Sequence, residues 1–258
     1  GETRELHAAK PDASVLKVDG LSIPGCLENV SFEARGGQIL GIGGLVGAGR
    51  TEILESIYGL RKYAAGSITL DGKPVAHSAG KAVRQGVGLV PEDRRREGLV
   101  QSLSVADNIA LSNYDVLFPG VTVHPSKIMA QAKESIELLR IKTPSGSTRC
   151  MNLSGGNQQK VVLAKWLMRD LKVLLVDEPT VGIDIGSKTE IYEILRSIAD
   201  KGSIVVVVSS DTEELLKISD RILIMVGGKV FADMPNQRLT ADDLLLEASG
   251  IHSKKEEA

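Results

Sequence analysis

A chain of 258 residues with 42% hydrophobic and 25% charged residues can bury a substantial core, as one large domain or two small ones. Its net charge of −2 gives nucleic acid and acidic membranes no general reason to attract it, and 3% aromatic residues argue against a base-stacking surface. Cys26 and Cys150 lie far apart and read as reduced cysteines, the 4 histidines are scattered, and no apolar run reaches the roughly 18 residues that a membrane helix needs.

In chain order, the polar opening "GETRELHAAKPDA" (1–13) reads as linker sequence, and no signal peptide is recognisable there. A β-rich region follows. "SVLKVDGLSI", "CLENVSFEA" and "GQILGIGG" alternate or run apolar between glycine breaks. "QILGIGG" into "AGRTEILESIYGL" predicts strand, glycine turn and helix, with Ile53, Leu54 and Ile57 on one helical face. "GSITLDGKPV" predicts a hairpin turning at "DG". Residues 92–159 turn helical and more charged, as in "KIMAQAKESIELLRI", and read as a helical subdomain inserted into an α/β domain of 14–248. "KVLLVDEP" and "GSIVVVVSSD" are continuous apolar runs suited to strands covered on both faces, with the amphipathic "KTEIYEILRSIAD" between them. "DRILIMVGGKVFAD" predicts a closing hairpin, and 249–258 is a charged tail.

Three stretches carry chemistry. In "GGLVGAGRTE" the glycines let backbone N–H groups converge on an anion at a helix start, although a ligand-free glycine turn has the same composition. "KVLLVDEPT" runs apolar residues into Asp177 and Glu178, where one carboxylate can hold Mg²⁺ and the next can orient or deprotonate a water. The bland counterpart is a solvated acidic strand end. "LSGGNQQK" places Ser154 as the cap of a helix opening with Gly155 and Gly156, so that hydroxyl, bare amides and helix dipole face one anion.

This octapeptide resembles the signature sequence of ABC-type ATPases, and the order of loop, helical insert, signature and acidic strand end extends the resemblance over about 15–234. The resemblance implies a P-loop NTPase (RecA-like) α/β core with an antiparallel β subdomain and a helical subdomain. It also implies ATP and Mg²⁺ as cofactors, and two nucleotide-binding domains that sandwich two ATP molecules head to tail. Mapped by motif, Gly44, Leu45, Val46, Gly47, Ala48, Gly49, Arg50 and Thr51 form the phosphate loop, followed by Glu52. Thr51 and Asp177 are the metal ligands it implies, Glu178 the catalytic base, and Asp184 of "VGID" a contact between the two domains. Leu153, Ser154, Gly155, Gly156 and Asn157 form the signature.

Several positions depart from the family pattern. Arg50 replaces the loop lysine, Glu52 follows the loop, Glu92 stands where a glutamine senses the γ-phosphate, and Ser210 replaces a histidine. No aromatic stands near Ser22 to Cys26, where one stacks on adenine. Arginine is a wider fork than lysine. A carboxylate at residue 52 about 4 Å from a phosphate opposes it by roughly 4 kcal/mol at an effective dielectric of 20, and Arg50, two positions away, does not face it.

The blend "GAGRTE", "PEDRRREGL", "LSGGNQQK" and "VSSD" resembles the C-terminal half of fused ATPases that drive bacterial import of monosaccharides of the ribose and galactose type. The expectation is therefore an importer domain with a weak phosphate loop, whose signature serves a partner domain's ATP site. Its implied partners are a second nucleotide-binding domain in the N-terminal half of the same polypeptide, membrane permease subunits and, indirectly, a periplasmic sugar-binding protein. No nucleic acid is expected, and the implied location is the inner face of the cell membrane. A fully active homodimer, a regulatory module without hydrolysis and a non-transport family member are the alternatives. The basic "EDRRREG" reads either as a solvated loop or as a docking surface for the membrane subunit.

Overall fold

The computed structural model describes residue 7 and residues 13–118 and 123–249. Most of the expected linker 1–13 and nearly all of the charged tail 249–258 lie outside the described residues. The chain divides into two compact units, one of residues 1–89, 172–178 and 195–258, the other of residues 90–171 and 179–194.

The first unit holds two sheets. Strands β1 (Val15–Ile23), β2 (Leu27–Arg35), β4 (Ala65–Leu70) and β5 (Lys73–Pro74) form an antiparallel sheet in the order β2-β1-β4-β5. In β1 the buried Leu16 and Val18 alternate with exposed Lys17 and Asp19, the pattern of a strand with one wet face. The second sheet contains β3 (Ile39–Gly44), β6 (Val87–Val90), β7 (Val173–Asp177), β8 (Ile204–Val208), β9 (Arg221–Val226) and β10 (Lys229–Pro235), in the order β10-β9-β3-β8-β7-β6. Here β9, β3, β8 and β7 run parallel, and every residue of β7 and β8 is buried, as continuous apolar runs demand. The inward faces of both sheets share one apolar cluster, to which helix α1 (Arg50–Tyr58) adds Ile53, Leu54 and Ile57 and helix α2 (Ala79–Arg84) adds Ala82.

A buried carboxylate ties the parallel sheet to its surroundings. Asp220, 1% exposed, accepts hydrogen bonds from the Ile39 N–H and from Arg196 Nη1, both at 2.8 Å, and pairs with His7 Nδ1 at 3.2 Å. Arg196 also donates to the Gly37 carbonyl, so the cation and the strand start are fixed together.

The second unit is helical. A π-helical turn (Arg94–Gly98) precedes α3 (Val105–Leu111), α4 (Tyr114–Leu117) and α5 (Pro125–Leu138), and a 3₁₀ turn (Cys150–Asn152) leads into α6 (Gly155–Leu167). Irregular backbone between these helices is satisfied by buried polar side chains. Asn108 donates to and accepts from Val100, Asn113 donates to the Ile109 and Lys165 carbonyls, and Lys165 donates to Gly98. Lys160, 2% exposed, donates to the Arg140 carbonyl and pairs with Glu190 at 2.6 Å. The unit extends past the expected 92–159, through all of α6 and over 179–194, because ties such as Lys160–Glu190 join those segments.

Candidate functional site

Parallel register brings three strand ends to one edge of the first unit. Asp177 lies beside Val208, and Val208 lies beside Ile42, so the segments leaving β7, β8 and β3 emerge together. From β3 the chain enters the glycine loop. Gly44 (φ +145°), Gly47 (φ +82°) and Gly49 (φ +92°) all occupy the left-handed half of backbone space, and a Cβ at Gly44 would stand 2.4 Å from the Met225 carbonyl oxygen. Leu45 and Val46 are exposed, whereas Ala48 is buried. Gly49 precedes α1 without any side-chain cap, which leaves the helix's opening amides bare next to Arg50 and Thr51.

Arg50 is buried, and its guanidinium is turned to the acidic strand end. Arg50 Nη1 lies 3.6 Å from Glu178 Oε1, with the two side chains 9% and 10% exposed. Glu178 has φ +44°, a left-handed conformation uncommon for a residue with a Cβ, and its N–H is held by the Val208 carbonyl at 2.9 Å. Its carboxylate accepts hydrogen bonds from the Ser210 N–H at 2.7 Å and from the Ser210 hydroxyl at 3.1 Å. Burial raises the Glu178 pKa above the usual carboxylate value, opposed by the Ser210 hydroxyl and the Arg50 charge. Thr51, Asp177, Glu178 and Ser210 are thus all carried by the first unit, with Asp177 only 3% exposed.

Glu52, expected to set its charge against a phosphate, stands in the first turn of α1. Its charge acts on the Cys26 thiol and on Arg61. Burial, and then the Glu52 charge, push the Cys26 thiol above its ordinary pKa. An open pocket of about 510 Å³ adjoins the loop, lined by Ile23, Pro24, Cys26, Leu27, Gly47 and Gly227 among others. Its lining includes no aromatic side chain, in keeping with the sequence around Ser22 to Cys26.

The signature belongs to the second unit. Ser154 caps α6, its hydroxyl accepting from the Asn157 N–H at 3.5 Å and from Asn157 Nδ2 at 2.8 Å. Asn157 Oδ1 accepts from the Lys142 N–H. A Cβ at Gly156 would stand 2.6 Å from Ser187 Cβ, so only glycine lets the helix start pass that serine. Leu153 is half-buried just before the cap. Asp184 is fully exposed and caps the start of helix α7 (Ile185–Asp200) through the Ser187 N–H at 3.0 Å, and bonds from Ser187 lower its pKa. Glu92 is exposed after β6 in the same unit, and its carbonyl accepts from the Arg94 N–H.

Two features escaped the sequence. Arg94, inside the cluster read as a solvated loop or docking surface, is instead buried, because its guanidinium reaches the Val181 and Gly182 carbonyls. The pairing of Arg50 with Glu178 had no local signal either, since 128 positions of sequence separate them (178 − 50).

The family described as ABC transporter matches residues 27–181. A ribose/galactose/methyl galactoside import ATP-binding protein of Rhizobium etli is 43% identical over 239 residues, covering 92% of this chain and 46% of its own length. The xylose import ATP-binding protein of Thermoanaerobacter pseudethanolicus is 45% identical over 232 residues, covering 88% and 46%. The chain therefore spans about half the length of the curated relatives it matches. Among solved structures, a dimeric ATP-binding cassette in a post-hydrolysis state bound to ADP and Pi superposes with a TM-score of 0.74 at 21% identity, over 87% of this chain and 100% of that one.

Proposed function

Because the chain belongs to the ABC transporter family, we propose that it is a nucleotide-binding domain of a bacterial sugar importer that lends its signature to a partner's ATP site while its own cradle grips nucleotide weakly. One observation carries this reading. The loop's cation is already paired with Glu178, whereas the start of α6 offers a serine hydroxyl and glycine amides to an anion. The relatives' names supply the solute class: monosaccharides such as ribose, galactose or xylose. Membrane permease subunits, a second nucleotide-binding domain within the longer natural polypeptide and, indirectly, a periplasmic binding protein are the partners that follow. Among the described residues no helix is long and apolar enough to cross a membrane, so passage of the sugar falls to those subunits. The proposed location is the inner face of the cell membrane.

Within the first unit the donor set fits Mg²⁺, which favours one or two carboxylates together with substrate phosphates. Asp177 at the end of β7 and Thr51 at the start of α1 supply hard oxygen donors, and among the described residues no cluster of three metal-ligating side chains competes with them. When bound, Mg²⁺ would neutralise charge between the β- and γ-phosphates. The chain's own residues would do the rest. The bare amides of the loop would cradle phosphate oxygens, and the pocket beside Cys26 and Gly47 would take the base. Glu178, held by Ser210, would orient a water and accept its proton, a role that a raised pKa suits. To do so it must first give up Arg50.

The test replaces Ser154 with Ala and Glu178 with Gln separately in the complete importer. Ser154→Ala is expected to suppress ATP turnover, and Glu178→Gln to leave much of it. Loss of turnover with Glu178→Gln alone would overturn the division of labour. A second reading, full hydrolysis by a homodimer, draws on the convergence of Thr51, Asp177 and Glu178 in one unit. ATP-dependent dimerisation of this chain with sustained turnover would establish it.

A further inference from the structure

Three arginines stand in a row at 94–96, yet only Arg94 is buried, 8% exposed. Asp93 caps the π-helical turn by accepting from the N–H groups of Arg95 and Arg96, both at 3.1 Å, and does not pair with the Arg94 side chain. Arg94 instead donates from Nη1 to the Val181 carbonyl at 2.7 Å and from Nη2 to the Gly182 carbonyl at 3.2 Å. Its Nε is buried and has no hydrogen-bond partner among the described residues. A guanidinium in this position is expensive to bury, because carbonyl dipoles replace water and its side chain makes no ion pair with the neighbouring Asp93. Burial accordingly lowers its pKa, with Arg95 adding to the effect and Asp93 opposing it.

That cation lies against the start of α6. A Cβ at Gly155 would stand 2.7 Å from Arg94 Nη2 and 2.8 Å from the Gly182 carbonyl oxygen, so glycine is what allows the fork to approach the first helical residue. Gly182, at φ +67°, bends the chain so that two consecutive carbonyls accept from one planar fork. The helix start is already the positive end of a 13-residue helix, with a serine cap and glycine amides. A buried cation at the same place, offset only in part by Asp93, adds positive potential there and packs the first glycine of the signature against the turn leading to Asp184.

We propose that Arg94 is a positioning residue for the signature, locking Gly155 and the 181–182 turn into one piece and supplying fixed positive charge to the phosphate that α6 receives. The proposal rests on the reading that α6 grips a partner domain's nucleotide. Arg94 acts through the turn that it holds and the helix start beside it.

The experiment uses the full-length natural protein assembled with its membrane subunits. Arg94→Met, Arg94→Lys and Ser154→Ala are compared by KM for ATP, by kcat and by melting temperature. Arg94→Met is expected to raise KM about tenfold, the scale of a charge interacting with a partly buried helix terminus, with kcat held within about twofold. Arg94→Lys keeps the charge but not the two-pronged tie, and is expected to raise KM about threefold. A lower melting temperature and lower kcat at unchanged KM would mean that Arg94 only stabilises the fold, overturning the proposal. Should Arg94→Met fail to assemble, the lysine variant decides in the same way: unchanged KM overturns the proposal. Ser154→Ala separates the two claims. A raised KM there with both Arg94 variants at the parental value removes the role of Arg94 alone, and no effect of Ser154→Ala removes the phosphate grip as well.

Discussion

Glu178→Gln in this chain is expected to tighten its own binding of MgATP, although a proposed catalytic group is being removed. The Arg50 Nη1 to Glu178 Oε1 separation is 3.6 Å and both side chains are about nine-tenths buried. At an effective dielectric of 20 the gross attraction at that distance is about 5 kcal/mol. An arriving phosphate must displace this carboxylate from Arg50 or share the cation with it. Glutamine can keep acceptor bonds to the Ser210 N–H and hydroxyl, but it carries no charge to compete for the guanidinium. If the incoming anion recovers even a third of the gross attraction, affinity rises about tenfold. Calorimetric titration of parent and variant with MgATP, at one ionic strength, measures this directly. Equal dissociation constants, or weaker binding by the variant, would refute the idea that Glu178 competes for the site's cation.

Other outcomes follow from the same contacts. The raised pKa of Glu178 means that the folded chain holds this proton more tightly than the unfolded chain. Its ionisation therefore costs stability as pH rises through and above the usual carboxylate range. The melting temperature of Glu178→Gln relative to the parent should accordingly increase from pH 4 to pH 7, and a flat or falling difference would contradict the shift. Cys150 is fully buried, and burial pushes its thiol to a pKa of about 11, so alkylation by iodoacetamide at pH 8 should require unfolding. Rapid labelling of native Cys150 by mass spectrometry would show that this site opens. Asp220→Ala strips the partner from the Ile39 N–H and from Arg196, and should cost about 3 kcal/mol in urea unfolding. A loss under about 1 kcal/mol would mean that the carboxylate is dispensable to the sheet.

Much of the architecture is legible in local patterns because the forces that form it are local or periodic. The alternation of β1, the continuous apolar runs of β7 and β8, and the glycine turns of the two hairpins each announce a strand and its environment. Ser154 before two glycines announces a capped helix, because capping is satisfied within three residues. What stays hidden is the direction in which long side chains reach. Arg94, Arg95 and Arg96 are chemically identical in sequence, and only the carbonyls of Val181 and Gly182, nearly 90 positions away (181 − 94), separate the buried one from its neighbours. Glu52 reads as a charge opposing phosphate because its helical position is known, while its effect on Cys26 depends on a turn 26 positions earlier (52 − 26) that no local pattern brings near. The same holds for Glu178, whose left-handed backbone and pairing with Arg50 exist only once β3, β7 and β8 lie side by side.

The tight approach of Gly44 to the Met225 carbonyl has a consequence for how such a domain changes over time. The course of the loop is moulded by its neighbouring strand and by glycine geometry, not by whichever cation follows at residue 50. Exchanging arginine for lysine there leaves those glycine contacts untouched, so under the function proposed above the grip on nucleotide can change by a single codon. On that reading, one motor of a pair could thereby be retired, or recommissioned, while the joints between its parts stay as they were.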